Sequence, residues 1–362
     1  THCISSAASD VYKRQELRLK NNGITNHFSC AYECISALHG IQAQYDLYAY
    51  ISLINRVENL EIDELFGDEA IVKSWGQRVT LHINTKENMM VNKAVFSSRN
   101  NWIKKYISQL GGKCGEIVSQ IVNADYESNS FSKLDVRNNI QHKERDQMMQ
   151  WGGVLAQASI EGYIYEVLDN HKGKKYAKLE SELLDKKMSY EQAIQNLIDK
   201  FVVAFGPVSL RDFAHWSGLS KSYFEKYWKM STSKYEQLRV EGEVYYYRND
   251  GTEDKRDNII LLGKFDPLLL AYYDKTWLVD KRHVHKIWKS AGHVEGILLV
   301  DNMFTGTWHC NKKNSKLCFY VKSEYQISKK TMDEVDKRLQ YISRVLEKQY
   351  GGVTIENEDT LK

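Results

Sequence analysis

Proline is nearly missing from this 362-residue chain, with only Pro207 and Pro267 present, where average usage of about 5% would give many more. Few chain-breaking residues and long periodic stretches predict a helix-rich fold. No apolar run reaches the roughly 18 residues that a membrane-spanning helix needs, so none is expected. Neither sign of charge dominates. The excess is +3, from 50 Lys plus Arg against 47 Asp plus Glu, so any nucleic-acid partner would have to be met by local clusters. Six cysteines in so long a chain are too few and scattered for a disulfide framework. Cys30 and Cys34 lie one helical turn apart, and Cys310 and Cys318 flank a Lys/Asn-rich loop. A zinc site from these four is conceivable, but the spacings are not recurrent zinc spacings, and buried reduced thiols are the favoured reading. The sequence also lacks GxxxxGK[ST], GxGxxG after a strand, and HExxH. These absences argue against ATP- or zinc-driven chemistry, so no cofactor and no metal are expected, and activity should persist in a chelator.

What is present is an ordinary globular composition, 42% hydrophobic and 27% charged, long enough for several domains. Thr1–Gln15 has neither a basic n-region nor an apolar h-region, so it does not form a signal peptide. It resembles translated adapter sequence, and residues 1–15 are expected to be non-native.

From Glu16 onward three stretches share one plan of helices, a turn, another helix and a short β ribbon. In the first, Ser29–His39 and Leu47–Val57 carry apolar residues at helical spacing. Gln77–Ile83 then alternates as a strand should, with Val79, Leu81 and Ile83 on one face. In the second, helical segments precede a ribbon, Tyr163–Val167 and Tyr176–Leu179, closed by Asn170-His171-Lys172-Gly173. In the third, Tyr190–Phe205 ends at Gly206-Pro207, Ser209 caps a helix stopped by Gly218, and Ser220 caps the next. A ribbon is expected to follow, Glu243–Arg248 returning as Asn258–Leu262 around a polar tip. Beyond Lys264, Ile297–Asn302 and Thr305–Cys310 should form a hairpin across Met303-Phe304, with Lys330–Gln349 a terminal amphipathic helix. The expected fold is therefore α+β and helix-rich. Three tandem winged-helix units (16–105, 106–188, 189–263) precede a small β-rich C-terminal domain with a terminal helix (264–350) and a flexible tail (351–362).

Winged helices commonly place one helix in a DNA groove and the ribbon along the backbone. The ribbon tips are basic: Lys172, Lys174, Lys175 and Lys178 in the second unit, Lys255 and Arg256 in the third. A further cluster spans Lys281 to Lys289. Each cluster alone reads equally well as a solvated loop; three in one chain favour DNA.

Gly40-Ile41-Gln42-Ala43-Gln44-Tyr45-Asp46 breaks the helical pattern around it. Gly40 can end one helix and Asp46 cap the next. On an extended link, Gln42 and Gln44 would face one side, with Ile41, Ala43 and Tyr45 toward the core. On a helix the two would diverge by about 200°. Spacing alone leaves a catalytic pair and a hydrogen-bonded turn both open.

Several ordered motifs then carry a resemblance. Gly40-Ile-Gln42-Ala-Gln44, Trp75-Gly-Gln-Arg78-Val-Thr80-Leu-His82, Gly206-Pro207…Asp212…Trp216-Ser-Gly218, Phe265-Asp266…Asp274-Lys275 and Gly306-Thr307-Trp308 resemble, in order, those of the AlkZ/YcaQ family of winged-helix DNA glycosylases, in its Gln-x-Gln branch. Val79 stands where the family has Gly, and Lys275 where it has Arg. The resemblance implies a monofunctional glycosylase that hydrolyses the N-glycosidic bond of cationic N7-alkylpurines in double-stranded DNA, with unhooking of interstrand crosslinks included. Gln42 and Gln44 would position water. Arg78, His82, Lys172, Lys174, Lys175 and Lys275 become candidate DNA contacts. Arg78 in a structural ion pair and His82 buried and hydrogen-bonded are the alternatives. Trp75, Asp266, Asp274, Phe304 and Trp308 become candidate site-shaping residues, with a core role favoured for Trp308. A cytoplasmic, nucleoid-associated monomer with no membrane partner is expected. The alternative function is a non-catalytic winged-helix transcriptional regulator.

Overall fold

The computed structural model describes residues 2–99, 101–169, 173–249 and 258–357; of residues 2–11 it describes the backbone alone. The chain is helix-rich and mixed α+β, and among the described residues no helix is long and apolar enough to cross a membrane. The opening helix runs His2–Asn21, so the expected boundary after Gln15 is not a structural one. Within that helix Arg14 is buried, its guanidinium 5.1 Å from the centre of the Tyr245 ring.

The first two segments do not keep separate ribbons. Their strands join in one six-stranded sheet, in the order Ile41–Gln42, Leu81–Thr85, Ile71–Trp75, Ile164–Glu166, Lys175–Lys178, Ser130–Ser132. The seam is the single register pair Lys73↔Glu166. The buried Lys73 ammonium reaches Glu166 and Asp46, each at 2.8 Å. Two buried opposite charges tolerate each other only when paired and hydrogen-bonded, which favours this one alignment of the two halves. Helices Lys86–Phe96 and Gly153–Ile160 cover the sheet.

The third segment follows the order helix (Tyr190–Phe205), helix (Leu210–Ser217), helix (Glu225–Thr232), ribbon. Its first two helices start with full capping boxes, Ser189 with Gln192 and Ser209 with Asp212. The ribbon, however, is Glu236–Val240 paired with Glu243–Tyr247. Glu241 and Gly242 turn between them, both at positive φ, as a two-residue hairpin turn requires. The expected return strand lies elsewhere. Ile259–Leu262, four apolar residues buried on both faces, is an edge of the C-terminal sheet. An exposed wing could not hide such a run; a covered sheet can.

That sheet has the order Gln349–Asn357, Lys316–Ser323, Met303–Lys313, Gly296–Val300, Ile259–Leu262. Its central hairpin turns at Asp301-Asn302, with φ of 49° and 63°, not at Met303-Phe304, which begin the second strand. Lys329–Val345 packs Val335, Leu339 and Ile342 inward. The segment expected as a tail from 351 is strand through Asn357, parallel to Lys316–Ser323.

Candidate active site

The short strand Ile41–Gln42 pairs with Leu81–Thr85, placing Ile41 opposite Ile83 and Gln42 opposite His82. The Ala43 amide continues the ladder to the Leu81 carbonyl at 2.8 Å. The chain can start that strand because Gly40 holds φ at 94°, where a Cβ would lie 3.2 Å from both His82 and Asn84. Cross-strand neighbours project to one face, so Gln42, His82 and Ser74 form a polar row across three strands.

Residues Gln77–Ile83 are not the single expected strand. Gln77–Val79 is a tight turn between Ile71–Trp75 and Leu81–Thr85, with Arg78 at φ 55° and Val79 at φ 58°. The turn aims Arg78 back across the sheet end. Its Nη2 donates to Gln42 Oε1 at 3.0 Å, and its Nη1 donates to the Trp216 carbonyl. Gly218 ends the Leu210–Ser217 helix in the left-handed conformation, and a Cβ there would sit 3.1 Å from Arg78 Cγ. One glycine thus caps the helix and leaves room for the guanidinium. Burial lowers the Arg78 pKa to about 10, so the group stays charged.

The two glutamines are not equivalent. Gln42 is 9% exposed and fixed by Arg78; Gln44 is exposed, with its side chain unbonded among the described residues. Tyr45, expected toward the core, is instead exposed and stacked on Phe265 at 6.0 Å. His82 is buried, and its Nδ1 lies 2.9 Å from the Thr80 carbonyl. Nδ1 therefore carries the hydrogen and Nε2 the lone pair. Burial first, then the Arg78 charge, pulls His82 down to about 3, so the ring is neutral near pH 7. A buried neutral imidazole is no phosphate contact, and the hydrogen-bonded alternative holds for it.

Lys275 lies at the far side of Trp216. Its Nζ donates to the Tyr272 and Leu269 carbonyls and lies 3.2 Å from His215 Nε2. Burial lowers its pKa to about 8. Burial, then Lys275 and Arg78, lower His215 to about 4. Gln42, Arg78, the Trp216 carbonyl, His215 and Lys275 thus form one polar line from the sheet end to the loop after Ala271. Trp216 and His215 were not among the sequence candidates, although the Trp-Ser-Gly motif pointed to their segment. Asp212 holds that loop, accepting from the Tyr273 amide at 2.8 Å.

Other candidates lie elsewhere. Asp266 is fully buried against Arg56, Oδ1 to Nη2 at 2.6 Å and Oδ2 to Nη1 at 2.9 Å, and caps the helix Pro267–Ala271. It is a structural ion pair, so its expected place beside Asp274 in the site is corrected. Asp274 caps its own turn at Thr276. Phe304 and Trp308 are buried, the Trp308 indole donating to the Leu262 carbonyl at 2.9 Å. Neither is free to enter a groove, so Phe304 and Trp308 belong to the core. Trp75 is half-buried where Ile71–Trp75 enters the turn. Lys174 and Lys175 are exposed near the opposite edge of the sheet, Lys174 reaching Glu166 at 3.3 Å. Lys172, Lys255 and Arg256 lie outside the described residues. In the Lys281–Lys289 cluster, Arg282 pairs with Asp280, Lys286 with Glu324 and Lys289 with Glu295, which neutralises much of it.

The family model "DNA glycosylase AlkZ-like" matches residues 35–345. Among solved structures, Streptomyces sahachiroi DNA glycosylase AlkZ is similar in fold. Its TM-score is 0.77, with 96% of this chain and 99% of that chain covered, at 17% identity. Among curated proteins no relative matches.

Proposed function

Because the chain belongs to the AlkZ-like DNA glycosylase family, we propose that it excises cationic N7-alkylpurines from double-stranded DNA by hydrolysis of the N-glycosidic bond, with Gln42 and Gln44 as the water-positioning pair. The observation that carries this reading is the Arg78 Nη2 bond to Gln42 Oε1, 3.0 Å long, which holds one carboxamide still while Gln44 stays exposed beside it.

Alkylation at N7 gives the purine a positive charge, so it leaves as a neutral base without being protonated. The sugar approaches an oxocarbenium ion, and water adds to an already electron-poor carbon. Such a reaction needs no strong base. A carboxamide oxygen that accepts from water orients it, and its dipole favours positive charge developing on the sugar. Gln42, its oxygen already bonded to a guanidinium, fixes the geometry. Gln44 has both amide groups free for water and the sugar. Undamaged purines, lacking the ring charge, should leave slowly, which gives selectivity without a tight pocket. Arg78 and Lys275 supply the cationic side on which a phosphate would lie. The three helical segments are proposed to act as tandem winged-helix units of a monomer, with the first and second fused through their sheet. Unhooking of N7-linked crosslinks follows from the same chemistry, since the leaving base is cationic there too.

The test is single-turnover incubation with a duplex carrying one N7-methylguanine, and separately an N7-linked crosslink, both in EDTA, followed by alkaline cleavage of abasic sites. Scission at the lesion and little at undamaged guanine is expected. No scission of either substrate would favour a non-catalytic DNA binder.

A further inference from the structure

Among the described residues Trp151 is the most exposed large hydrophobic side chain, at 74%, and the backbone at and after it has positive φ. It sits at φ 51°, followed by Gly152 at 83° and Gly153 at 36°. A Cβ on Gly153 would lie 1.9 Å from the Met148 carbonyl oxygen, and one on Gly152, where φ is 83°, would press on the Trp75 ring at 3.1 Å. Left-handed backbone at a bulky residue costs free energy, and strain of this kind collects at sites of use. A buried Trp would repay such a conformation through packing; this one faces water.

Its surroundings extend the surface. The Tyr106 ring centre is 5.9 Å from that of Trp151, with the Tyr106 hydroxyl anchored on the Gln147 carbonyl at 3.3 Å. Trp102, exposed, precedes Tyr106 by one turn on the helix Trp102–Gln109, and exposed Lys105 lies between them in sequence. Asp146, on the same connection as Trp151, is engaged by Arg137. Continuity with the candidate site comes through Trp75. It pairs with Leu81, whose carbonyl holds the Ala43 amide between the two glutamines. Trp75, the Arg78 turn and Gln44 therefore share one end of the sheet, and the Gly152 approach to Trp75 sets Trp151 at that end.

We infer that Trp151, with Tyr106 and Trp102 behind it, is a stacking platform for nucleobases of the DNA flanking the lesion. The inference rests on the DNA-acting reading above. In a duplex the base faces are covered by their neighbours, so the platform takes a base unstacked beside the lesion. A flat, rigid indole offers any such base a π-face, which suits an enzyme that must engage damage in any sequence. It is a binding and positioning element, with no part in bond cleavage.

The experiment compares wild type, Trp151→Ala and Trp151→Phe in binding to a fluorescent duplex, with and without an N7-methylguanine, and in single-turnover excision. Thermal melting and sedimentation are run alongside. Trp151→Ala should bind roughly tenfold more weakly, the loss expected of one stacking contact. Melting should be unchanged or raised, and Trp151→Phe should recover most of the affinity. In single-turnover excision the same loss should appear as a roughly tenfold higher enzyme concentration at the half-maximal rate. Equal affinity in all three proteins, with excision intact, would overturn the platform and leave the glycosylase reading standing. Weaker binding in Trp151→Ala with no excision by wild type would support the platform and remove the glycosylase reading. A change in oligomeric state with DNA affinity unaltered would make this a self-association face and overturn the inference. No DNA binding by wild type would overturn both.

Discussion

Arg78 and Val79 carry a disproportionate share of the site's geometry. Two consecutive non-glycine residues at positive φ bring a guanidinium onto Gln42, and the second is β-branched, the residue class least suited to that conformation. The resemblance puts Gly at position 79, and the backbone explains why. Val79→Gly should relieve a left-handed penalty of about 1–2 kcal/mol, less the extra chain entropy that glycine loses on folding, for a net gain near 1 kcal/mol. Chemical denaturation measures this directly; a lower midpoint would show that Val79 packing outweighs its strain. Gln42 and Gln44 stand out in the sequence as a break in helical spacing, and the family resemblance is what singles them out as a candidate pair. Their inequivalence was not legible there, because it depends on Arg78, brought near by a turn that alternation of Val79, Leu81 and Ile83 disguised as strand.

Among the elements around the site, carboxylates serve the frame: Asp212 holds the loop after Ala271 and Asp274 caps its own turn. Asp266 holds the frame as well. Its pairing with Arg56 ties the turn after the helix Asp46–Ile54 to the helix Pro267–Ala271, and Ser52 of the first helix donates to its Oδ2 at 2.9 Å. Asp266→Asn keeps the shape and leaves a buried guanidinium uncompensated, so it should cost about 3–5 kcal/mol of stability. The excision rate of the protein that remains folded, measured well below its melting temperature, should stay near wild type. A variant of undiminished stability but lost excision would return Asp266 to the site. The Asp-Pro step announced a helix start, yet nothing local could reveal a partner 210 residues away. The same limit explains the ribbon of the third segment. Glu241-Gly242 is a weak turn signal, and Ile259–Leu262 is strand in either arrangement. Only the C-terminal sheet decides which neighbour it takes.

For the whole molecule, helix content, the order of the segments and the β-rich C-terminal part were readable from periodicity and capping. Fusion of two segments into one sheet was not, since it hangs on a single pair of residues, Lys73 and Glu166. The candidate site lies where these long-range arrangements converge: the end of the fused sheet, the C-terminus of the Leu210–Ser217 helix and the loop after Ala271. The proposed reading is that this meeting point holds a metal-independent water-positioning pair. The most direct measurement is single-turnover excision of N7-methylguanine in EDTA by wild type and by Gln42→Ala/Gln44→Ala, with duplex affinity measured in parallel. At least a hundredfold slower excision by the double variant is expected, on the order of losing one preorganised electrostatic contact, at unchanged affinity. Excision at the wild-type rate by a folded, DNA-binding double variant would contradict it.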